Sequence, residues 1–194
     1  MKSVLISIQP KWCELIASGK KTVEVRKTKP KLETPFKVYI YCTANKQGTH
    51  DLLEIHGTDG KIRKANGKVI GEFVCDKLYE IGYNYFYPVG YDVSMGELPR
   101  EELYKKSCLS FNQMDNYLNT ELGYGWHISN LVIYDKPREL SEFRKECKLE
   151  CDMRSLNEPP CEKCEHLVAS FGCGRTITKP PQSWCYVESE SDTE

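Results

Sequence analysis

The sequence predicts a mixed α/β fold, a small β pseudo-barrel or half-open sheet with short helices at its periphery. Three observations lead there. Segments of period two rich in β-branched or aromatic residues are scattered along the chain, at 3–8, 23–25, 37–42, 69–81 and 126–134. Only short stretches of helical spacing lie between them. Strand and helix do not alternate regularly, which argues against a doubly wound parallel sheet. A length of 194 residues suits one domain with room for a small appendage.

The elements follow in order. Ser3 to Ile8 reads as a strand, and Pro10 then opens a helix whose apolar positions are Trp12, Leu15 and Ile16. Gly19 stands where a helix commonly ends in a left-handed residue. Val23 and Val25 resume the period of two, with Thr22, Glu24 and Arg26 on the opposite face. Lys37 to Cys42 is the next strand, and the polar stretch from Thr43 to Asn66 reads as a loop or hairpin. Val69 to Ile81 is strand-like, with Gly71 a bulge or a point of close approach. Tyr79 to Tyr91 reads as a loop packed by its own rings. Helices are expected from about Glu97 to Leu103 and from Ser110, a suitable N-cap, to Leu118. Trp126 to Tyr134 alternates most strongly, and Pro137 is expected to stop it.

Charge narrows the function classes. With 27 Lys+Arg against 28 Asp+Glu, the net charge of -1 excludes a uniformly basic nucleic-acid coat but not a local patch. Residues 11–37 hold eight Lys or Arg against three acids, so the basic charge is concentrated there. No apolar run approaches the roughly 18–20 residues of a membrane span. The apolar stretch near the N-terminus is too short for a signal peptide, so a cytoplasmic location without membrane contact is expected.

Gly19-Lys20-Lys21-Thr22-Val23-Glu24-Val25-Arg26 has the form G-x-K-x-x-E-x-R. The glycine lets the chain reverse from helix to strand. Glu24 and Arg26, two apart on a strand, lie side by side, and Lys21 at the strand entrance can reach over the same cleft. A carboxylate between two cations can bind or polarise a polar ligand. On charge pattern alone it reads equally as an ordinary surface ion-pair cluster, worth little stability.

Together with Ser7-Ile8-Gln9-Pro10-Lys11-Trp12 before it and Gly71-Glu72-Phe73-Val74 after it, this motif resembles the opening of the ASCH domain family. Tyr124-Gly125-Trp126-His127-Ile128 and Pro180-Pro181-Gln182-Ser183-Trp184-Cys185 look like ASCH proteins of phage and gut-bacterial type. The resemblance implies a PUA-like pseudo-barrel with a cleft beside the helix, and RNA or a modified nucleotide as the partner. One branch of the family is similar to amidohydrolases acting on N(4)-acetylcytidine. There a lysine corresponding to Lys21 works with a threonine, and Glu24 stands at that threonine's position here. The resemblance therefore makes Lys21, Thr22, Glu24 and Arg26 candidate ligand-binding residues, with Lys21 and Glu24 catalytic only if the protein is an enzyme. A hydrolase on nucleic acid or an acylated base is one alternative function, and a non-catalytic protein-interaction adaptor is another. His127 lies opposite Trp126 and Ile128 by alternation, where it reads either as a cleft-facing acid, base or donor or as a satisfied structural histidine.

Six of the ten cysteines fall between Cys147 and Cys185, and Cys161-Glu162-Lys163-Cys164 is a C-x-x-C. Two thiolates at that spacing can grip one tetrahedral ion from a tight turn. The run Asn157-Glu158-Pro159-Pro160 gives this stretch no apolar framework of its own, a role a metal can fill. Residues 147–173 interrupt the family-like flanks, so the expected structural zinc ligands are Cys151, Cys161, Cys164 and Cys173, with Cys147 as a substitute for Cys151. Free thiols, a redox pair and an iron–sulfur cluster are the alternatives. Cys13, Cys42, Cys75, Cys108 and Cys185 read as buried core thiols. The expected organisation is an ASCH core over 1–146, the cysteine-rich insertion over 147–173, a return to the core over 174–187 and an acidic disordered tail over 188–194.

The cysteine spacing predicts about one zinc ion per chain in protein purified without added metal, held by thiolates at about 2.3 Å. Elemental analysis checks this. A metal-free chain that folds as well as the zinc-supplemented one contradicts it.

Overall fold

The computed structural model describes residues 2–44, 53–145 and 176–188. The chain opens with strand β1 (Lys2–Ile8), helix α1 (Pro10–Ala17), β2 (Val23–Arg26) and β3 (Phe36–Cys42). A short hairpin, β4 (Glu54–His56) and β5 (Ile62–Lys64), precedes β6 (Val69–Cys75), β7 (Leu78–Asn84) and β8 (Gly90–Val93). Helices α2 (Arg100–Ser107) and α3 (Phe111–Leu118) lead to β9 (Gly123–His127), β10 (Ser129–Arg138) and β11 (Trp184–Glu188).

Among the described residues these strands, with three α-helices, make the expected mixed α/β fold as two principal sheets and no closed barrel. The larger sheet has the order β10-β6-β3-β1-β11, the smaller β2-β9-β7-β8, and β4-β5 stands as a ribbon. Within the larger sheet β1 pairs parallel with β3 and antiparallel with β11. Val4, Leu5 and Ile6 are fully buried, because this central strand is covered on both faces. Ile6, Val38, Ile70 and Phe73 pack with Cys13 and Ile16 of α1 on one side of that sheet. Leu5, Tyr39, Phe143, Ile177 and Val187 fill the other side. Val23, Ile81, Tyr91, Leu103 and Leu118 make the core of the smaller sheet and its helices.

Two strands expected to be continuous are each two strands in different sheets. The run 69–81 breaks at Asp76 and Lys77, sending β6 to the larger sheet and β7 to the smaller. The run 126–134 breaks at Ile128 between β9 and β10 in the same way. Alternation carries on through a corner where a strand changes sheet, so hydropathy alone does not mark the crossing. β10 also continues through Pro137, against expectation. It is an edge strand with its register shifted between Ile133 and Arg138, where a residue lacking an N–H is tolerated.

The remaining local expectations divide. Gly19 has φ +71 and closes α1 as a left-handed residue. Ser110 caps α3 in a full capping box with Gln113. The segment 79–91 is a β7–β8 hairpin rather than a loop. Tyr83 meets the rings of Tyr85 and Tyr91 at 4.7 and 5.0 Å. Tyr85, Phe86 and Tyr87 at its tip are 71%, 82% and 97% exposed, so the tip is not packed by its own rings. Cys13, Cys42 and Cys75 are buried, whereas Cys108 and Cys185 are only half-buried. Cys108 has φ 53 as the left-handed cap of α2, a position that turns it out of the core.

Gly71 is a point of close approach: a Cβ there would lie 2.3 Å from the Val132 carbonyl oxygen of β10. Gly71→Ala is therefore expected to cost at least the roughly 1–3 kcal/mol of an overpacked core. Gly82→Ala, whose added Cβ meets nothing within 4 Å, serves as the control and should be near neutral. Urea unfolding of the two variants checks this, and equal stabilities contradict it.

Candidate functional site

The turn at Gly19 brings the chain back against α1, where the Lys21 N–H donates to the Leu15 carbonyl at 2.9 Å. Lys21 then points inward. Its Nζ donates to the Ser107 carbonyl oxygen at the end of α2 at 2.6 Å and pairs with Glu24 Oε2 at 3.3 Å. Glu24 Oε1 lies 3.0 Å from Arg26 Nη2, which also donates to the Ser7 carbonyl oxygen at 2.6 Å. Arg26 Nη1 reaches Ser183 Oγ at 3.5 Å, while its Nε is buried with no hydrogen-bond partner among the described residues. Trp12 stacks beside the group, with Lys21 Nζ 5.3 Å and Lys11 Nζ 4.3 Å from its ring centroid.

This cluster is not the surface ion-pair network that charge pattern alone suggests. Lys21, Glu24 and Arg26 are only 2%, 6% and 8% exposed, and Lys21, expected at the cleft edge, is the most buried. They form the floor of a cavity of about 920 Å³. Lys11 and Trp12 stand on one wall, Gln113, Asn116 and Tyr117 of α3 on another, and Pro180 to Ser183 on a third. The floor is charged and nearly buried. The rim is polar and aromatic, with Lys11, Gln113, Asn116, Tyr117 and Gln182 all exposed.

Glu24 and Arg26 share the cavity face of β2. Register with β9 sets Glu24 opposite Trp126 and Arg26 opposite Tyr124, and leaves Val23 opposite His127. His127 therefore sits on the other face of the sheet, away from the cavity. Its Nδ1 is 2.7 Å from Asp76 Oδ1, and its ring meets Tyr79 edge-on at 6.3 Å. Burial is the largest single influence and acts to raise the Asp76 carboxyl, but the hydrogen bonds from His127, its own backbone N–H and Ser129, with the attraction of His127, together leave Asp76 below its ordinary value. Thr22 does not line the cavity either. Its N–H donates to the Lys106 carbonyl and its carbonyl accepts from Ile128, so it serves as a splice between α2, β2 and the β9–β10 corner.

Several lining residues carry no expectation from sequence. For α3 the signal was present: Met114 and Leu118 are its buried face, which leaves Gln113, Asn116 and Tyr117 at i, i+3 and i+4 on the open one. For Gln182 and Ser183 of the lining, and for Ser107 behind Lys21, only the tertiary fold reveals the role, since they lie 83 to 162 positions from Lys21 and Glu24 in the sequence numbering. Burial raises the Cys13 thiol well above its usual value, with Cys42 beside it adding to the shift, so the thiol behind the floor is inert. Among the described residues no group of three or more His, Cys, Asp or Glu is placed to hold a metal. Cys147, Cys151, Cys161, Cys164 and Cys173 lie outside the described residues.

Two sheets meeting over a first helix, with a charged cavity at that helix, define a mixed α/β protein. Residues 6–79 match the ASCH domain family. The fold is that of solved ASCH structures. The ASCH protein from Zymomonas mobilis is similar with a TM-score of 0.53 and 19% identity, covering 96% of this chain and 87% of that one. A tyrosine-to-phenylalanine variant of the same Zymomonas mobilis protein gives a TM-score of 0.52 and 19% identity, covering 97% and 91%. No curated protein matches the chain. Among the described residues no helix is long and apolar enough to cross a membrane.

The burial of the cluster sets an expected energy. Removing one partner of a buried ion pair leaves uncompensated charge and costs about 3–5 kcal/mol. Glu24→Ala, which leaves Lys21 and Arg26 facing each other, should lose that much in denaturant unfolding at neutral pH. A change below about 1 kcal/mol, the range of exposed pairs, contradicts the buried arrangement.

Proposed function

We propose that the protein binds RNA, or a modified nucleotide, in the cavity floored by Lys21, Glu24 and Arg26. The observation that carries this reading is the contrast within the cavity: three buried charges at the bottom, and rings and amides at the top. Side-chain amides match the donor and acceptor edges of bases, and Tyr117 offers an exposed π-face on which a base can stack. The volume of about 920 Å³ is ample for one nucleotide. Lys20, Lys29 and Lys31 are exposed on the same basic stretch of sequence as Lys11, charges available to a phosphate backbone.

Binding is favoured over turnover by the way Lys21 is held. Its Nζ acts as a donor to a carbonyl and a carboxylate, which makes it a positioning charge rather than a free base. Glu24 replaces the hydroxyl that the amidohydrolase branch uses, and Thr22 is absent from the cavity lining. A structural zinc held by Cys151, Cys161, Cys164 and Cys173 belongs to the same proposal, as a structural ion rather than a reactant.

Short single-stranded RNAs should raise the melting temperature and bind with a salt-dependent affinity. Tyr117→Ala should weaken binding by about 1–3 kcal/mol, the range for loss of one stacked base, with little change in stability because Tyr117 is 39% exposed. RNA affinity unchanged in Tyr117→Ala and in Lys11→Ala contradicts the site. Incubation with N(4)-acetylcytidine should release no cytidine detectable by chromatography. Turnover abolished by Lys21→Ala would reverse the order of the two readings.

A further inference from the structure

We infer that the cavity floor seats a terminal phosphate, so that the ligand is a phosphate-ended RNA or a nucleoside monophosphate rather than the interior of a strand. This rests on the nucleotide-binding reading and names what that site selects.

The first observation is charge. The residues lining the cavity include three cations, Lys11, Lys21 and Arg26, and one acid, Glu24. That leaves a net charge of two positive on a partly desolvated surface. A phosphate monoester carries about −1.5 to −2 near pH 7 and presents three oxygens, whereas an internal diester carries one charge. The monoester is the better complement.

The second observation is the incomplete pairing of Arg26, a side chain more than nine-tenths buried. A guanidinium has five N–H groups. Nη2 donates to Ser7 and Glu24, but Nη1 has only the 3.5 Å contact to Ser183 Oγ, and Nε has no partner among the described residues. Buried donors are nearly always paired; Nε is closed off from the cavity, so Nη1, held by one long contact, is the donor left for an acceptor at the floor. The Ser183 hydroxyl beside it is a further donor. Lys21 has no such capacity to spare, being tied to Ser107, Glu24 and the face of Trp12.

The third observation is depth. The cations of the floor are buried while the amides and the Tyr117 ring are exposed at the rim. A group that reaches Arg26 has its base left among Gln113, Asn116 and Tyr117. A chain end can enter in this way, whereas an internal phosphate would have to bring chain on both sides to the floor.

The test compares ligands that differ only in the terminal group. Fluorescence anisotropy would use one short RNA with hydroxyl ends, a 5′-phosphate or a 3′-phosphate. Thermal shift would use nucleosides against their 5′- and 3′-monophosphates. The expected result is at least tenfold tighter binding of a phosphate-ended form. A gain shared by the mononucleotides assigns a free nucleotide, and a gain confined to the oligonucleotides assigns an RNA end. Arg26→Lys keeps the charge but loses the fork, and should remove most of the preference. If that variant does not fold, Lys11→Gln at the rim should reduce the preference several-fold without touching the floor. Equal binding of hydroxyl- and phosphate-ended forms overturns this inference while leaving RNA binding intact. A phosphate preference that survives unchanged in a folded Arg26→Lys or in Lys11→Gln overturns it too. Binding of none of these ligands removes the nucleotide reading and this inference together.

Discussion

The Glu24 carboxylate, held between Lys21 and Arg26, is the contact on which the arrangement of this protein depends. Its two ion pairs extend into backbone on either side. Arg26 belongs to the smaller sheet and donates to Ser7 of β1 in the larger one, and Lys21 donates to Ser107 at the end of α2. One acid thus fastens two sheets and a helix. Removing any of the three charges leaves the others desolvated, which is why the cluster behaves as a unit.

A buried ion cluster is an inefficient source of stability, since apolar residues of similar volume commonly do as well. Its presence under an open cavity instead of within the core gives it a different value. The donors are oriented before a ligand arrives, and the low-dielectric surroundings strengthen any contact a ligand makes with them. The rim supplies what the floor lacks, rings and amides free to adjust to a base. Preorganised charge below and adaptable contacts above is the combination expected of a site that fixes one end of its ligand firmly.

Much of the fold was legible in the sequence because local physics dictated it. Pro10 and Gly19 bracket α1, Ser110 caps α3, and Gly71 lies under a neighbouring backbone, each for a reason visible in a few residues. The sheet changes at 76–77 and 128 were not legible, because a period of two survives a corner. His127 was assigned correctly to the face opposite Trp126, yet the cavity lies on the Trp126 side, a fact fixed by the pairing of β2 with β9. The motif Lys21, Glu24 and Arg26 was visible as a cluster but not its burial, since Ser7, Ser107 and Ser183 close over it from distant parts of the chain. Charge pattern reports which residues meet; only packing reports whether water meets them.

Among the described residues, the cavity rim, with half-buried Trp12 and exposed Tyr117, and the β7–β8 tip, with Tyr85, Phe86 and Tyr87, both present rings. Photo-crosslinking of a short single-stranded RNA, followed by mass spectrometry of the modified peptides, separates them. The account places the crosslinks on Trp12, Tyr117 or the 180–183 segment. Crosslinks confined to Tyr85, Phe86 and Tyr87 would contradict it, because the RNA would then bind at the hairpin tip and the charged cavity would serve something else.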